Sequence, residues 1–499
     1  MATRAHPGRP KRRSKDTRFR AIQRIIGVLL AISSVTMLPP AFIGLMYQDG
    51  SVTPFLEGFA LLALLGALCW YPVRNVQREL RIRDGFVVVV ACWLVLGLAG
   101  AVPLLLSTEP SMSITDAVFE SMSGLTTTGA TVLTGIDYLP RSILFYRQQL
   151  QWLGGMGIIV LAVAILPMLR IGGMQLYRAE TPGPMKDNKL TPRIAETAKA
   201  LWNLYLWITL VCAVAYWTAG MSLFDAVGHA FSTVAIGGFS THDLSIAHFN
   251  SPAIEMICMA FMFVAGINFA LHFMAWRRAS MEPYRGDPEL KTYIGLLIAG
   301  TVFCTWQLWS QNVYPDLLQA LRYGAFQVIS VATTAGFATD SFYLWPATLP
   351  LLLLLMSCIG ACAGSTGGGM KVIRVLLLYK QGWREMVRLV HPSALAPVKL
   401  GNRSASEKVI QSVWGFFSVY VLLFCLFSIA LTGFGIDLVT AVSSVLACMN
   451  NLGPALGQAG PHYADLADPA KWILALAMLM GRLELFTLLI LFTPVFWRN

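Results

Sequence analysis

Apolar runs of about twenty residues recur along the whole 499-residue chain, and this feature constrains the fold more than any other. An α-helix needs a run of that length to cross the roughly 30 Å hydrocarbon layer of a membrane. A mean hydropathy of +0.62 and a charged fraction of 13% leave no room for a large soluble domain. We predict an all-α polytopic membrane protein with spans at 25–47, 54–72, 86–107, 142–168, 197–219, 251–276, 292–310, 346–380, 409–432 and 470–496.

Positive charges concentrate in alternate loops. Lys and Arg are frequent in residues 1–24, 73–83, 170–193, 277–291 and 374–408, and the intervening loops are nearly free of them. The positive-inside rule therefore predicts a cytoplasmic N-terminus and a cytoplasmic location for these segments. The net charge of +11 indicates topology and not nucleic-acid binding, because the basic segments contain no aromatic-interleaved motif of the kind that binds nucleic acid. The run from 25 to 47 has no clear cleavage site, so we interpret it as a retained span.

Four stretches between the predicted spans are too short and too polar to cross the bilayer, and they resemble one another. Each is a brief amphipathic segment followed by a loop rich in Gly, Thr and Ser. In chain order they read SITDAVFESMSGLTTTGATV (113–132), SLFDAVGHAFSTVAIGGFST (222–241), DLLQALRYGAFQVISVATTAGFAT (316–339) and DLVTAVSSVLACMNNLGPAL (437–456). Aligned on one glycine, they form a fourfold repeat in which Asp116, Asp225 and Asp437 suit a helix N-terminus.

The repeated loops predict a central pore. Non-helical backbone at membrane depth is stable only where it is buried in protein or lines a water-filled cavity. Four helices that end in such loops would direct the negative ends of their dipoles at one axis, which favours a cation. Glycine at the aligned position lets carbonyl oxygens turn inward and replace the water shell of that ion. The alternative, four ordinary extracellular turns, does not explain why the loops are in register between pairs of spans.

A second glycine cluster, ACAGSTGGGMKVIR at 361–374, interrupts an apolar run. Glycine is a poor helix former and a lysine within a bilayer is costly, so the interruption needs a purpose. The segment does not match the phosphate-binding pattern GxxxxGK[ST], because Met370 separates the glycines from Lys371. A glycine-rich face for helix packing is the simpler alternative to an intramembrane loop. Lys371 and Arg374 could also extend to the cytoplasmic edge of the membrane.

Cysteine and histidine spacing predicts neither a disulfide framework nor a structural metal centre. The nine cysteines lie mostly in apolar segments without a CxxC pair, and no HExxH or related motif occurs. For Asn268 and His272, which lie in an apolar run, we predict hydrogen bonds between helices. Nucleophile, base and metal do not come together in any recognisable pattern, so we expect neither an enzyme nor a cofactor bound by this chain.

Nearly the whole chain resembles the Trk/Ktr/HKT potassium transporter superfamily, whose members carry four span, pore-loop, span repeats in one chain. Beyond the four loops, the blocks similar to that family are RQQLQWLGGMGIIVLAVAILP (147–167), GGFST, AGINFALH (265–272), CAGSTGGGMKVIRV (362–375), HPSALAPVKL (391–400) and GRLELFTLLILFTPVFW (481–497). Two extra spans before the first repeat are similar to the TrkH/TrkG type. The resemblance implies units at 1–24 (basic cytoplasmic N-terminus), 25–85 (two extra spans), 86–170, 171–276, 277–400 and 401–499 (four pore repeats).

The resemblance also implies which residues bind the transported ion. The expected K⁺ selectivity filter comprises Thr127, Thr128, Gly129, Ala235, Ile236, Gly237, Gly238, Thr334, Ala335, Gly336, Asn451, Leu452 and Gly453. In relatives that favour sodium, the first loop carries serine at the aligned glycine position. Gly129 stands at that position here, so the resemblance implies selectivity for potassium.

By the same resemblance, the cluster at 360–369 is an intramembrane loop that lies across the pore beneath the filter as a gate. The expected gate residues are Gly364, Ser365, Thr366, Gly367, Gly368, Gly369, Lys371 and Arg482. Arg482 lies about eleven residues into the last predicted span, where an unpaired cation is costly. It is expected either to act as an electrostatic barrier or latch at the gate or, alternatively, to form a buried ion pair with a residue such as Glu484.

The expected function is potassium uptake across a bacterial cytoplasmic membrane through a gated pore. The resemblance further implies a homodimer and a cytosolic TrkA-type nucleotide-binding ring, because this chain has no nucleotide fingerprint of its own. The alternative is a secondary transporter that couples K⁺ to Na⁺ or H⁺. Such coupling needs a buried carboxylate in the pathway, and Glu255 and Glu484 are the mid-span acids that the sequence offers.

Overall fold

A computed structural model describes residues 13–76, 82–160, 190–346, 348–394, 396–401 and 403–498. Within these ranges the α-helices are α1 (Arg13–Val35), α2 (Leu38–Tyr47), α3 (Val52–Trp70), α4 (Ile82–Leu106), α5 (Ile114–Leu125), α6 (Arg141–Val160), α7 (Leu190–Thr218), α8 (Leu223–Ala235), α9 (Pro252–Ala265), α10 (Phe269–Arg278), α11 (Glu282–Gly286), α12 (Pro288–Ser310), α13 (Leu317–Thr333), α14 (Thr348–Ile359), α15 (Val372–Val390), α16 (Glu407–Gly433), α17 (Leu438–Asn450), α18 (Asp468–Arg482), α19 (Phe486–Leu489) and α20 (Pro494–Trp497). Two short strands, β1 (Lys399–Leu400) and β2 (Arg403–Ser404), pair in antiparallel orientation.

The fold is all-α and repeats one unit four times. Each unit consists of a long helix (α4, α7, α12 or α16), a short helix (α5, α8, α13 or α17) and a second apolar segment that begins with α6, α9, α14 or α18. The short helices begin where the sequence predicts. Asp437 caps α17 directly, whereas Ser113 and Ser222 cap α5 and α8 by accepting hydrogen bonds from the amides of Asp116 and Asp225.

The four units close into a ring, because the second segment of each unit packs on the short helix of the next. Helix α6 packs on α8, α9 on α13, and α14 on α17. The last contact, between α18 and α5, joins the fourth unit back to the first. This cyclic packing brings the C-terminal ends of the four short helices, and the loops that follow them, to one central region.

The outer surface of this ring is apolar, as a lipid environment requires. Among the described residues, six helices are long and apolar enough to cross a membrane, or up to eight if each sharply bent pair counts as one span. Only 22% of the most apolar window in Glu407–Gly433 is buried inside the protein, so most of its apolar side chains face outward. The N-terminal helices α1 to α3 add to this layer, since α1 packs on α3 and α4 and α2 packs on α6.

Two predicted spans, 251–276 and 470–496, are not continuous helices. The first bends by 91° between α9 and α10, and the second bends by 105° after Arg482. The span predicted at 346–380 divides into α14 and α15 around the glycine cluster, as expected. Most of the basic segment 170–193, part of 73–83, the end of the span predicted at 142–168 and residues 1–12 lie outside the described residues.

Candidate functional site

Each short helix ends in the same way. An amide just beyond the helix donates back to a carbonyl in its last turn, at 2.8 Å in all four cases: Thr128 N to Ser123 O, Gly237 N to Ser232 O, Ala335 N to Ser330 O and Leu452 N to Ala447 O. In each case the donor directly follows a residue with left-handed backbone angles. Four different sequences therefore adopt one backbone geometry at the point where the chain turns.

A pair of left-handed residues, two positions apart, follows every short helix. The pairs are Thr127 (φ +51°) and Gly129 (+82°), Ile236 (+53°) and Gly238 (+80°), Thr334 (+70°) and Gly336 (+83°), and Asn451 (+54°) and Gly453 (+89°). Glycine adopts such angles readily, but a β-branched residue does so at a cost of roughly 1–2 kcal/mol. Three of the four loops accept that cost, so the surrounding structure must impose this backbone path.

The aligned glycines bring the four loops into contact. A methyl group placed on Gly129 would overlap the carbonyl oxygen of Gly237, and one on Gly238 would overlap that of Ala335. In the same order, Gly336 lies against the Leu452 carbonyl and Gly453 against the Thr128 carbonyl. Each glycine therefore faces the carbonyl that precedes the glycine of the next loop, and the sequence of contacts closes on itself. The sequence alignment on these glycines matches this ring residue by residue.

A polar side chain lies nine residues before each aligned glycine, and in three of the four repeats it forms hydrogen bonds to the chain that follows the glycine. Glu120 accepts hydrogen bonds from Thr131 Oγ1 and the Val132 amide, each 3.0 Å from one of its carboxylate oxygens. In the second and third repeats the corresponding side chains bind residues that follow the aligned glycine. His229 Nε2 lies 2.9 Å from Ser240 Oγ, and Gln327 Nε2 donates to Asp340 O at 3.0 Å. The fourth member of this set is Ser444, which is also buried.

Arg147 joins the first and second loops. Its side chain is 1% exposed, and its Nε donates to Glu120 Oε1 at 2.8 Å. The same guanidinium donates to Thr131 Oγ1 at 3.1 Å and to Ser240 O at 3.3 Å, and it lies 4.2 Å above the Phe239 ring. Neither member of this ion pair was predicted from the sequence, because 27 residues separate them.

Gln151 and Tyr463 also hold loop backbone. Gln151 donates to Gly237 O at 2.6 Å and accepts from the Phe239 amide at 3.1 Å. Tyr463 donates its hydroxyl to Gly453 O at 2.6 Å. Asn451 links the fourth loop to the first through a 3.0 Å bond from its Nδ2 to Thr128 Oγ1. The backbone of the ring is thus fixed by side chains that approach it from outside.

The glycine-rich segment 360–369 lies directly against the C-terminal ends of the short helices. Thr366 Oγ1 donates to Val234 O in α8 at 3.0 Å, and the Gly368 amide donates to Thr334 Oγ1 at 2.6 Å. The Gly369 amide donates to Asn450 O in α17 at 3.0 Å. Polar groups of this intramembrane loop are therefore paired with three of the four repeats, which explains how non-helical backbone is tolerated at this depth.

Close packing requires glycine in this loop. Added methyl groups would lie 2.6 Å from Thr333 O at Gly367 and 2.6 Å from Ser357 O at Gly369, and one at Gly368 would overlap Asn450 O. Gly364 and Gly369 also have φ near +73°. The sequence explained these glycines by their poor helix propensity, whereas the structure adds a steric reason. The helix-packing alternative is not what the structure shows, because this backbone is a loop and not a helical face.

Arg482 connects the intramembrane loop to the remaining repeat. Its Nε donates to Thr126 O at the end of α5 at 2.6 Å, its Nη1 donates to Thr366 O at 3.2 Å, and its Nη2 donates to Thr127 Oγ1. A cation at a helix C-terminus is favourable. The alternative partner, Glu484, instead pairs with Arg374 at 2.7 Å, so Arg482 does not form the ion pair considered from the sequence.

Lys371 and Glu289 support the same loop. Lys371 donates its ammonium group to Gly367 O instead of extending to the membrane edge. Glu289 Oε1, fully buried at the start of α12, accepts from the amides of Ala363 at 2.8 Å and Ile373 at 3.1 Å. One carboxylate oxygen therefore holds both ends of the loop. Glu289 was missed in the sequence because it lies before residue 292, where the span was predicted to start.

The bend between α9 and α10 is built against this loop. The Cys362 amide donates to Gly266 O and the Phe269 amide donates to Gly364 O, each at 3.0 Å. Asn268 caps α10 by accepting from the Ala270 amide, and His272 spans the bend with a 2.9 Å contact to Val264 O. The inter-helix bond predicted for His272 agrees with this geometry, whereas the bond of Asn268 is a cap within its own helix; the bend itself was not predicted.

Comparisons with known proteins agree with this architecture. Residues 52–498 match the TrkH family model, described as a cation transport protein. The Trk system potassium uptake protein TrkH of Halomonas elongata is 56% identical over 96% of this chain and 100% of its own length, and TrkG of Escherichia coli K12 is 40% identical over 96% and 99%. The crystal structure of the potassium transporter TrkH from Vibrio parahaemolyticus aligns with a TM-score of 0.90 at 52% identity, covering 96% of this chain and all of that one.

The fold and the central ring define a membrane protein with four pore-loop repeats. The chain belongs to the TrkH family of cation transport proteins.

The ion pair behind the ring yields a prediction about stability. Replacing Arg147 with Met leaves the Glu120 carboxylate buried without its cation, which should destabilise the protein on the scale of roughly 3–5 kcal/mol. Thermal unfolding in detergent measures this effect. The matched control is Arg384→Met, which should cost less, because it breaks a pair with Glu407, whose side chain is 60% exposed and stays hydrated. Adding Glu120→Gln to Arg147→Met should restore part of the loss, and an additive double mutant would contradict the coupling.

Proposed function

We propose that this chain conducts potassium into the cell through a selective, gated pore. The observation that carries the proposal is the closed ring in which each aligned glycine faces a carbonyl of the next loop. Rings of backbone carbonyls replace the hydration shell of a cation that has lost its water. The names of the curated relatives, potassium uptake proteins of the Trk system, support potassium as that cation.

The proposed filter consists of the loop residues 127–129, 235–238, 334–336 and 451–453. Glycine at all four aligned positions supports potassium selectivity, because a side chain at any of them would displace a neighbouring carbonyl. The negative ends of four short helices add a favourable potential for a cation in the same region.

The proposed gate is the intramembrane loop 360–369 together with Lys371 and Arg482. Its contacts with the ends of α8, α13 and α17, and the contact of Arg482 with the end of α5, support a plug immediately beneath the filter. Two positively charged side chains in that plug would also repel a cation in transit.

Conduction through a pore is favoured over coupling to Na⁺ or H⁺. The two mid-span acids considered for coupling are both paired: Glu255 binds Arg322 through two 2.6 Å contacts, and Glu484 binds Arg374. A carboxylate whose oxygens are held by a guanidinium is not free to bind a coupling ion.

We further propose a bacterial cytoplasmic membrane location with the N-terminus inside, a homodimer, and regulation by a cytosolic TrkA-type ring. Basic side chains on one group of loops support this arrangement. Arg277, Arg278 and Arg285 are exposed around α11, and Arg388 is exposed near the end of α15. Such a surface suits the cytoplasmic side by the positive-inside rule and could accept an acidic regulatory surface.

The filter assignment predicts loss of selectivity in single glycine variants. Gly129→Ser should reduce Rb⁺ over Na⁺ preference in proteoliposome flux, because its side chain would push against Gly237 O. Gly238→Ser, Gly336→Ser and Gly453→Ser should act in the same direction. Gly295→Ser is the matched control, since a methyl group there meets no atom within 4 Å. Wild-type ion preference in all four variants would rule out this filter.

The gate assignment predicts a higher resting flux when the loop loses its anchor. Glu289→Ala removes the oxygen that holds both the Ala363 and Ile373 amides, so the loop should leave the pathway more often. Glu289→Gln retains an oxygen acceptor and is the matched control. Arg482→Ala and deletion of 364–369 should also raise the Rb⁺ flux. If Glu289→Ala and the loop deletion fold normally yet conduct like the wild type, the loop is not a gate.

Pore and coupled transport are distinguished by the driving force. In proteoliposomes, Rb⁺ uptake should follow the Rb⁺ gradient and the membrane potential alone. Imposed Na⁺ or H⁺ gradients at fixed potential should leave the uptake rate unchanged. Uptake against the Rb⁺ electrochemical gradient, driven by either second ion, would instead establish a coupled transporter.

A further inference from the structure

Three of the seven histidines gather at the junction between repeats 1 and 2. His242 and His248 follow the second glycine loop, and their rings stack with centroids 3.5 Å apart and planes inclined by 4°. Asp137 follows the first glycine loop, and its Oδ1 lies 2.5 Å from His242 Nδ1. The third histidine, His229, is fully buried in α8 beside them. None of these residues belongs to the proposed filter or gate.

The cluster has the donor set and dimensions of a transition-metal site. One ligand atom each from Asp137, His242 and His248 lies within 4.8 Å of the others. Zn²⁺ bonds of about 2.0–2.2 Å place tetrahedral ligands roughly 3.3 Å apart. The Asp137 and His248 side chains are exposed, so small rotations can close the difference.

The position of the metal follows from the Asp137 to His242 contact. Asp137 Oδ1 and His242 Nδ1 are in direct contact at 2.5 Å, so a metal ion would replace the proton between them and separate the two atoms to about 3.3 Å. His248 is stacked on His242 in this structure, and its exposed side chain would rotate out of the stack to bring a ring nitrogen to the same ion. The fourth position stays open to water.

A second carboxylate orients His242. Asp225 Oδ1 lies 3.5 Å from His242 Nε2, on the opposite side of the ring from Asp137. Asp225 is itself fixed by Thr241 Oγ1 at 2.8 Å and Ser222 Oγ at 2.6 Å. A ring held by a carboxylate at one nitrogen, with the other directed at a metal, is the usual arrangement of metal-binding histidines.

His229 is not a ligand, because both of its ring nitrogens contact atoms outside the ligand set, whereas His242 Nδ1 faces Asp137, which is itself a proposed ligand. Nδ1 lies 2.9 Å from Asp225 O and Nε2 lies 2.9 Å from Ser240 Oγ. It links the cluster to α8 and to the loop that contains Gly238. A metal ion at this junction would therefore cross-link segments that hold the first and second loops of the ring.

We propose that Asp137, His242 and His248 bind a divalent transition-metal ion, with Zn²⁺ as the best match. Two imidazoles and one carboxylate favour Zn²⁺ over Mg²⁺ or Ca²⁺, which require mostly oxygen ligands. The sequence predicted no metal centre, because the three ligands come from two repeats more than 100 residues apart and leave no short motif.

Calorimetric titration of the purified protein with ZnCl₂, without a polyhistidine tag, tests the site. We expect one Zn²⁺ per chain, and each of His242→Ala, His248→Ala and Asp137→Asn should weaken binding on the order of 100-fold. Zn²⁺ should also raise the midpoint of thermal unfolding in the wild type but not in these variants. Prior alkylation of accessible thiols removes competition from exposed cysteine, of which Cys425 is an example.

His462→Ala is the matched control. His462 Nδ1 lies 3.9 Å from Asp465 Oδ2, so this second surface pair resembles the first but belongs to no three-residue group among the described residues. Its loss should leave both the stoichiometry and the affinity unchanged. A triple variant combines Asp137→Asn, His242→Ala and His248→Ala, and its unfolding midpoint without metal shows whether it is folded. The proposal is overturned if this folded triple variant still binds one Zn²⁺ with wild-type affinity. It is equally overturned if the wild type binds none.

Discussion

The central ring depends on one constraint: non-helical backbone lies inside a protein whose surroundings offer no water. Every carbonyl and amide there must find a partner or line the pathway, since an unsatisfied group in an apolar environment costs several kcal/mol. Side chains that surround the ring provide these partners. Glu120, His229 and Gln327 form hydrogen bonds from equivalent positions, and Arg147 links the first two loops. In the proposed filter, the loop carbonyls that these side chains do not bind are the ones available to a cation.

The same supporting layer explains how strained residues persist. Thr127, Ile236 and Thr334 adopt left-handed angles that β-branched side chains disfavour. An isolated loop would relax to a different backbone path. Each of these residues is instead held between a 2.8 Å hydrogen bond that closes the helix and a glycine that packs against a carbonyl of the neighbouring loop. Strain of this kind is maintained only where packing determines the backbone, and it is concentrated here at the proposed binding site.

The sequence predicted the parts of this fold that repeat or that break hydropathy. The four glycine loops were identified because they are in register, and the ring of contacts agrees with the alignment. The interruption at 360–369 was visible because a dense cluster of glycines next to a lysine is unusual in an apolar run. The bends at 266–268 and after Arg482 were missed, since neither a proline nor a cluster of glycines marks the point where the helix breaks. Pairs such as Glu120 with Arg147, or Glu289 with the loop amides, join segments that hydropathy and spacing cannot bring together. They become visible only once the repeats close into a ring.

From the sequence, the filter and the gate were interpreted as separate parts of one pathway. Hydrogen bonds nevertheless connect the proposed gate loop to the proposed filter. Thr334, one of the left-handed residues of the ring, accepts the Gly368 amide of the intramembrane loop at 2.6 Å. Arg482 binds Thr366 O in that loop and Thr126 O beside the first glycine loop with the same guanidinium. In the proposed gating, displacement of the loop takes the Gly368 amide from Thr334 and the Thr366 carbonyl from Arg482, so the surroundings of two of the four glycine loops change. Glu289 binds the loop at the amides of Ala363 and Ile373 and not at the ring, so we expect Glu289 variants to separate the proposed opening from the proposed selectivity.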